Sequence, residues 1–282
     1  MDYTIKNEKI SVTVTDFGAE VISVVVDGKE RLWQNPTGEW AGHAPLLFPV
    51  CGHFGVTVDG KTYPIKAHGF AKRMPFTLVD SGEDFFTFSI SSNEETKRVY
   101  PYDFVFSVTY RVADTTLFIE YDVQNPAKKA LYFACGGHES FALDTDVDGY
   151  EIEFDDEEDL THYYHDDGGY LTGKTQKYGN GKPLPLPIDF LQNGDTLIFK
   201  DVRSRGVKLV RKGGKPIARV TFDGFSNLLL WRQDEAKYIC IEPWTNLPDY
   251  AALPDKEFSQ KDGVVKVEGN SNKRLVRTIT YL

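Results

Sequence analysis

Phe104-Val105-Phe106-Ser107-Val108-Thr109-Tyr110-Arg111-Val112, a turn at Asp114-Thr115, and then Leu117-Phe118-Ile119-Glu120-Tyr121-Asp122-Val123 decide the fold class. Bulky apolar residues recur at every second position on both sides of the turn. That is the period of a half-buried strand, and the pair reads as a β-hairpin. The same alternation places Ile10, Val12 and Val14 opposite Ser11, Thr13 and Thr15. Further strands are predicted at 21–26, 76–79, 85–90, 130–135, 150–154, 196–199, 206–211, 217–222, 227–232, 238–242, 264–267 and 275–281. Turn pairs punctuate them, among them Asp27-Gly28, Asp59-Gly60, Asp148-Gly149, Asn180-Gly181 and Gly213-Gly214. No stretch holds helical apolar spacing over three turns. The expectation is an all-β chain with little helix: a large antiparallel β-sandwich.

The composition agrees. Aromatic residues make up 13% of the 282, against 2 Met, and such strand formers suit a pleated surface. No convincing boundary divides the chain, so one domain over 1–282 is expected. The most irregular region, about 155–195, carries Asp155-Asp156-Glu157-Glu158-Asp159, the Asp166-Asp167-Gly168-Gly169 turn and Leu184-Pro185-Leu186-Pro187. It reads as a long excursion on the sandwich.

Lys plus Arg total 32 against 42 Asp plus Glu, a formal charge of −10, and nucleic-acid binding needs a basic face. No apolar run reaches the roughly 18 residues of a membrane span. The start, Met1-Asp2-Tyr3-Thr4-Ile5, has neither a basic nor an apolar leader region. Three cysteines in apolar stretches (Cys51, Cys135, Cys240) fit buried thiols in a reducing compartment. A cytoplasmic protein with no nucleic-acid or membrane partner is expected, as a monomer or weak homodimer.

Phosphate-loop, dinucleotide and nucleophile-elbow motifs are absent, as is Cys-x-x-Cys. What remains is His, Glu and Asp without a nucleophile or cofactor, an inventory for acid–base chemistry, with no metal expected. His138 follows an apolar strand on the Gly136-Gly137 bend, where a ligand can approach the backbone. Glu242 ends the strand 238–242 beside Pro243-Trp244. Desolvation there raises a carboxyl pKa toward the range of a general base, unless an edge Arg or Lys pairs with it. Trp244 is either a platform for sugar C–H faces or plain core. His68, in a loop before Gly69, either bonds backbone or meets a ligand. His162 and His165 flank two tyrosines without a metal-ligand spacing.

Together these segments resemble the aldose 1-epimerase (galactose mutarotase) family, most closely its LacX-like branch. The resemblance runs along nearly the whole chain. It is carried by Asp16-Phe17-Gly18-Ala19-Glu20, Leu32-Trp33, Ala44 to Gly52, Tyr63 to Ala71, Tyr100 to Phe104, Gly137-His138, Asp195 to Phe199, and Cys240 to Asp249. It implies a supersandwich with the site in an open cleft on one sheet. It also implies His138 as general acid, Glu242 as general base, His68 as a sugar contact and Asp195 as the substrate-binding aspartate. In that scheme His138 is protonated while Glu242 is ionised.

The chain departs from the pattern in three places. It has His53 where many LacX-like relatives carry Arg. Glu139 follows His138 where Pro is frequent, and would either raise the His138 pKa or face solvent. Lys72-Arg73 stands where Ala-Arg is common. His53, Lys72, Arg73 and Trp244 join the candidate contacts. The activity implied is interconversion of the anomers of a free sugar, without a cofactor. The alternatives are a hexose-6-phosphate epimerase, whose phosphate arginines would hold, and a non-catalytic carbohydrate-binding protein.

Overall fold

A computed structural model describes residues 1–179, 183–191, 194–252 and 256–282, so the Asn180-Gly181 turn lies outside the described residues. Strand makes up 48% of the chain and helix 6%. The hairpin read from the sequence pairs Val105–Ala113 with Thr116–Asn125, joined by a turn with Asp114 at φ 50°. Phe106, Val108, Tyr110 and Val112 point inward with Leu117, Ile119, Tyr121 and Val123, all at most 3% exposed.

That hairpin sits within a nine-stranded antiparallel sheet. Its order is Leu184–Pro185, Tyr150–Phe154, Gly206–Arg211, Pro216–Thr221, Ser271–Tyr281, Thr116–Asn125, Val105–Ala113, Phe85–Ser91, Thr77–Ser81. Facing it is a six-stranded sheet in the order Glu139–Ala142, Tyr238–Trp244, Asn227–Trp231, Leu197–Phe199, Thr161–His165, Leu171–Lys177. A four-stranded N-terminal sheet covers one end. Side chains of both large sheets share one core, in which Phe48 stacks on Phe106 at 4.3 Å and Tyr121 meets Phe225 at 5.9 Å. Each such fully buried side chain contributes roughly 1.5–3 kcal/mol.

The 155–195 region corrects the sequence reading. Thr161–His165 and Leu171–Lys177 pair as a hairpin that turns at Asp166–Gly169 and extends the six-stranded sheet. The second strand is exposed at all but Leu171, so it has no apolar alternation to betray it. Glu158 is buried, accepting the backbone N–H groups of Arg203 and Ser204 at 3.0 and 2.6 Å, so the acidic run is partly structural. His162 is buried as well, its Nδ1 accepting the Ile198 N–H, and burial lowers its pKa to about 4. Among the described residues no helix is long and apolar enough to cross a membrane.

Candidate active site

Alternation on Tyr238–Trp244 sends Ile239 and Ile241 into the shared core and Tyr238, Cys240, Glu242 and Trp244 to the opposite face. Register places Leu229 beside Glu242, Trp231 beside Cys240, and Ile241 beside Glu139. His138, one residue before Glu139, comes up opposite Glu242. Its Nε2 lies 3.4 Å from Glu242 Oε2. His138 is 8% exposed and Glu242 1%, so the pair lies buried where an open cleft was expected.

Trp40 is the reason. Its ring stacks on the His138 imidazole at 5.1 Å and 25°, with Trp231 edge-on at 5.5 Å. Trp33 packs on Tyr238, which also stacks on Trp40. Trp40 and Trp231 therefore cover His138 directly, while Trp33 stands one ring further out, behind Tyr238. Trp40, Trp231 and Cys240 were missed in the sequence, though the rarity of Trp offered a signal for two of them. A cavity of about 600 Å³ opens beyond Trp244, lined by Phe54, Tyr170, Asn227, Leu247 and Tyr250 among others; it does not include the pair.

The two glycines before His138 serve a different purpose from the one expected. A Cβ on Gly136 would lie 2.6 Å from Trp244 Cδ1, and one on Gly137 would lie 2.2 Å from Arg277 Cζ. The close approach they permit is made by the protein's own side chains. Glu139 neither faces solvent nor acts on His138. It points into the core and binds the buried Arg277 guanidinium through both oxygens, while Arg277 Nε donates to Tyr121 Oη at 2.8 Å.

His68 joins the pair with its ring 5.8 Å from His138 and 5.3 Å from Trp244. It sits at φ 62°, and its Nδ1 accepts the Gly52 N–H at 3.1 Å. Burial first, then Lys72, holds its pKa well below the ordinary value, so the neutral ring carries its proton on Nε2. Gly69 beside it is required: a Cβ there would lie 2.1 Å from Phe48 O. Trp244 is 4% exposed and packs with Leu47, Cys51, Ile198 and Leu229, which favours the core reading. Lys72 is half-buried in the short turn Ala71–Arg73 and acts electrostatically on both His138 and Glu242.

Three candidates lie outside this group. Arg73 is exposed, and its Nη1 donates to Gly69 O at 2.7 Å. His53 is exposed and leans on Tyr170 at 5.1 Å. Asp195 is half-buried in the loop before Leu197–Phe199, next to Gly194, whose carbonyl accepts the Trp231 indole N–H at 2.9 Å.

Burial works against the ionised pair that the resemblance implies. Burial raises the Glu242 pKa well above the ordinary carboxyl value, and Glu139 adds to this. Lys72 opposes it, as does the Trp244 indole N–H, which falls short of hydrogen-bond geometry. Burial and then Lys72 push His138 down to about 3. Burial thus disfavours the charged form of both partners. His138 Nδ1, Glu242 Oε2 and Trp244 Nε1 are buried without a hydrogen-bond partner. An orphaned buried polar atom costs about 1–3 kcal/mol, and three in one place mark a site shaped for a ligand. One ligating atom each from His138, Cys240 and Glu242 falls within 4.8 Å of the others.

Comparison with known proteins gives a consistent picture. The family model described as "Aldose 1-epimerase" matches residues 1–265. The chromosomal LacX protein of Lactococcus lactis subsp. lactis is 32% identical over 269 residues, covering 88% of each chain. A galactose mutarotase-like protein from Lactobacillus casei superposes with a TM-score of 0.92 at 27% identity, over 100% of both chains. A galactose mutarotase related enzyme from Lactobacillus acidophilus gives 0.90 at 28% identity, over 100% of this chain and 97% of that one. The chain belongs to the aldose 1-epimerase family, in its LacX-like branch.

Proposed function

We propose that the protein interconverts the α and β anomers of a free aldose, with Glu242 as general base and His138 as general acid. The observation that carries this reading is the buried His138–Glu242 pair, with His138 Nε2 3.4 Å from Glu242 Oε2 and Trp40 stacked on the imidazole.

Glu242 takes the C1 hydroxyl proton as the C1–O5 bond breaks and C1 becomes a carbonyl. His138 gives its proton to O5. Rotation about C1–C2 presents the other carbonyl face, and closure returns both protons. No oxidant, reductant or cofactor enters the balance. Ring opening converts ionised Glu242 and protonated His138 into the neutral pair, the arrangement that burial favours. The sugar hydroxyls supply the dipoles that sustain the ionised arrangement before opening. His68, whose Nδ1 accepts the Gly52 N–H, would donate from Nε2 to a sugar oxygen. Asp195, next to the Gly194 carbonyl that accepts the Trp231 indole N–H, would serve as a further hydroxyl contact.

Polarimetry of freshly dissolved α-D-glucose and α-D-galactose tests the reading. The protein is expected to speed the decay of rotation, and His138→Asn to remove that effect. A decay no faster than the spontaneous one, with hexose 6-phosphates also unchanged, sinks the proposal in favour of a binding protein.

A further inference from the structure

Cys240 takes no part in the proton transfers, yet it rises from the same strand and face as Glu242, two residues away, with His138 opposite. One ligating atom from each lies within 4.8 Å of the other two, and all three residues are buried. Glu242 Oε2, 3.4 Å from His138 Nε2, is buried without a hydrogen-bond partner, an independent sign that this space receives a ligand. We propose that Cys240, His138 and Glu242 bind a soft divalent cation of the zinc class, and that occupancy silences the acid–base pair.

The donor set selects the metal. Hard cations such as Mg²⁺ and Ca²⁺ demand six or more oxygen ligands, and one carboxylate cannot supply them. A thiolate, an imidazole and a carboxylate are the ligands zinc accepts, and three protein donors leave the fourth position of a tetrahedron open. Zinc bonds of about 2.0–2.3 Å bring ligand atoms to roughly 3.5 Å from one another. Small side-chain rotations reach that spacing from 4.8 Å. Only deprotonated ligands bind, so the thiol proton, and the carboxyl proton where present, leave to solvent. Trp40 and Trp231 close over His138 and keep water from competing. A bound ion occupies the lone pairs on which proton transfer depends. The silencing rests on the acid–base role proposed above; the binding does not.

The test uses the chelator-treated full chain, titrated with Co²⁺ for the near-ultraviolet thiolate-to-cobalt absorption and with Zn²⁺ by calorimetry. One ion per chain and a thiolate band are expected. The band should vanish in Cys240→Ser, and Zn²⁺ affinity should fall about tenfold or more there and in His138→Asn. Cys240→Ala serves if the serine variant does not fold. Mutarotation should be lost with Zn²⁺, restored by chelator, and unaffected by Mg²⁺. A wild-type protein without the band, or a band that survives removal of Cys240, overturns the site. Turnover that persists with zinc bound overturns the silencing. A band in a protein with no turnover at all leaves the site standing and sinks the epimerase reading instead.

Discussion

Glu139 and Glu242 are buried to the same degree, 2% and 1% exposed, on neighbouring strands of one sheet, yet they are treated in opposite ways. Glu139 faces the nine-stranded sheet and has both oxygens on Arg277, which is held in turn by Tyr121. Burial works against the charge on Arg277, but Glu139 and Tyr121 raise its pKa above the ordinary value. Glu242 faces the other way, toward a histidine that burial keeps neutral, and Oε2 bonds to nothing. His138 and Glu139 are adjacent in sequence, so the alternation of one strand separates a satisfied structural ion pair from an unsatisfied pair. Burial does not distinguish them. Hydrogen-bond satisfaction does.

The largest expected effect separates the two by activity. Glu242→Gln should lower mutarotation about 10²–10⁴-fold, the usual worth of a general base, with no loss of melting temperature. Glu139→Gln should do the reverse: leaving Arg277 buried without its counter-ion costs about 3–5 kcal/mol in denaturant unfolding, with turnover per folded molecule largely kept. A Glu139→Gln variant that stays stable but loses turnover would break the distinction. Arg277→Met sharpens it further. Alone it strands the Glu139 charge and should cost a similar amount, whereas Glu139→Leu with Arg277→Met should regain most of the stability, because an apolar pair replaces a buried ionic one at little net cost.

A smaller effect lies in pH dependence. In the proposed mechanism, turnover requires that the pair share one proton. The acid limb of kcat/KM should therefore fall far below the ordinary imidazole range, near the His138 value of about 3, and the alkaline limb should lie above the ordinary carboxyl range. Stability follows with signs set by each shift. The contribution of protonated Glu242 is full below the ordinary carboxyl pKa of about 4.3 and is lost as pH rises through its raised value. Glu242→Gln should thus gain on the wild type as pH climbs. Neutral His138 has the opposite sign, and stability is lost as pH falls from about 6.5 toward its lowered value. Urea midpoints measured from pH 4 to 9, on the order of one reading per unit, check both signs.

The fold was largely legible because a two-residue period survives wherever one face is buried. The Val105–Ala113 and Thr116–Asn125 hairpin follows that period along its whole length. Leu171–Lys177 escaped notice because an exposed edge strand needs no apolar side. His138, Glu242, His68 and Lys72 could be named from local context and resemblance, and the sheet brings them together. What could not be read was direction. Whether Glu139 points to His138 or into the core depends on strand register against Ile241 and on an arginine 138 residues away in sequence. Trp40 lay hidden for a related reason: it reaches the site from a loop, where no periodicity reports which side chain folds inward.

Trp40 provides the smallest and most selective test. Its backbone N–H donates to Asn35 Oδ1 at 3.2 Å, and its ring covers the His138 imidazole. Burial is the first cause of the low His138 pKa, and this ring supplies much of the cover. Trp40→Ala lets water reach the imidazole, so the acid limb should move up toward the ordinary value of about 6.5, with a loss of rate on the order of tenfold at neutral pH. The Glu139–Arg277 pair lies on the other face of the sheet and gains no access to solvent. The stability deficit of Glu139→Gln should accordingly be the same with Trp40 present or absent, within about 0.5 kcal/mol in a double-mutant cycle. Coupling well above that would mean the sheet transmits solvent exposure from one glutamate to the other. An acid limb unmoved by Trp40→Ala would mean that the neutral state of His138 comes from elsewhere, with Lys72, the next cause in size, as the group to remove.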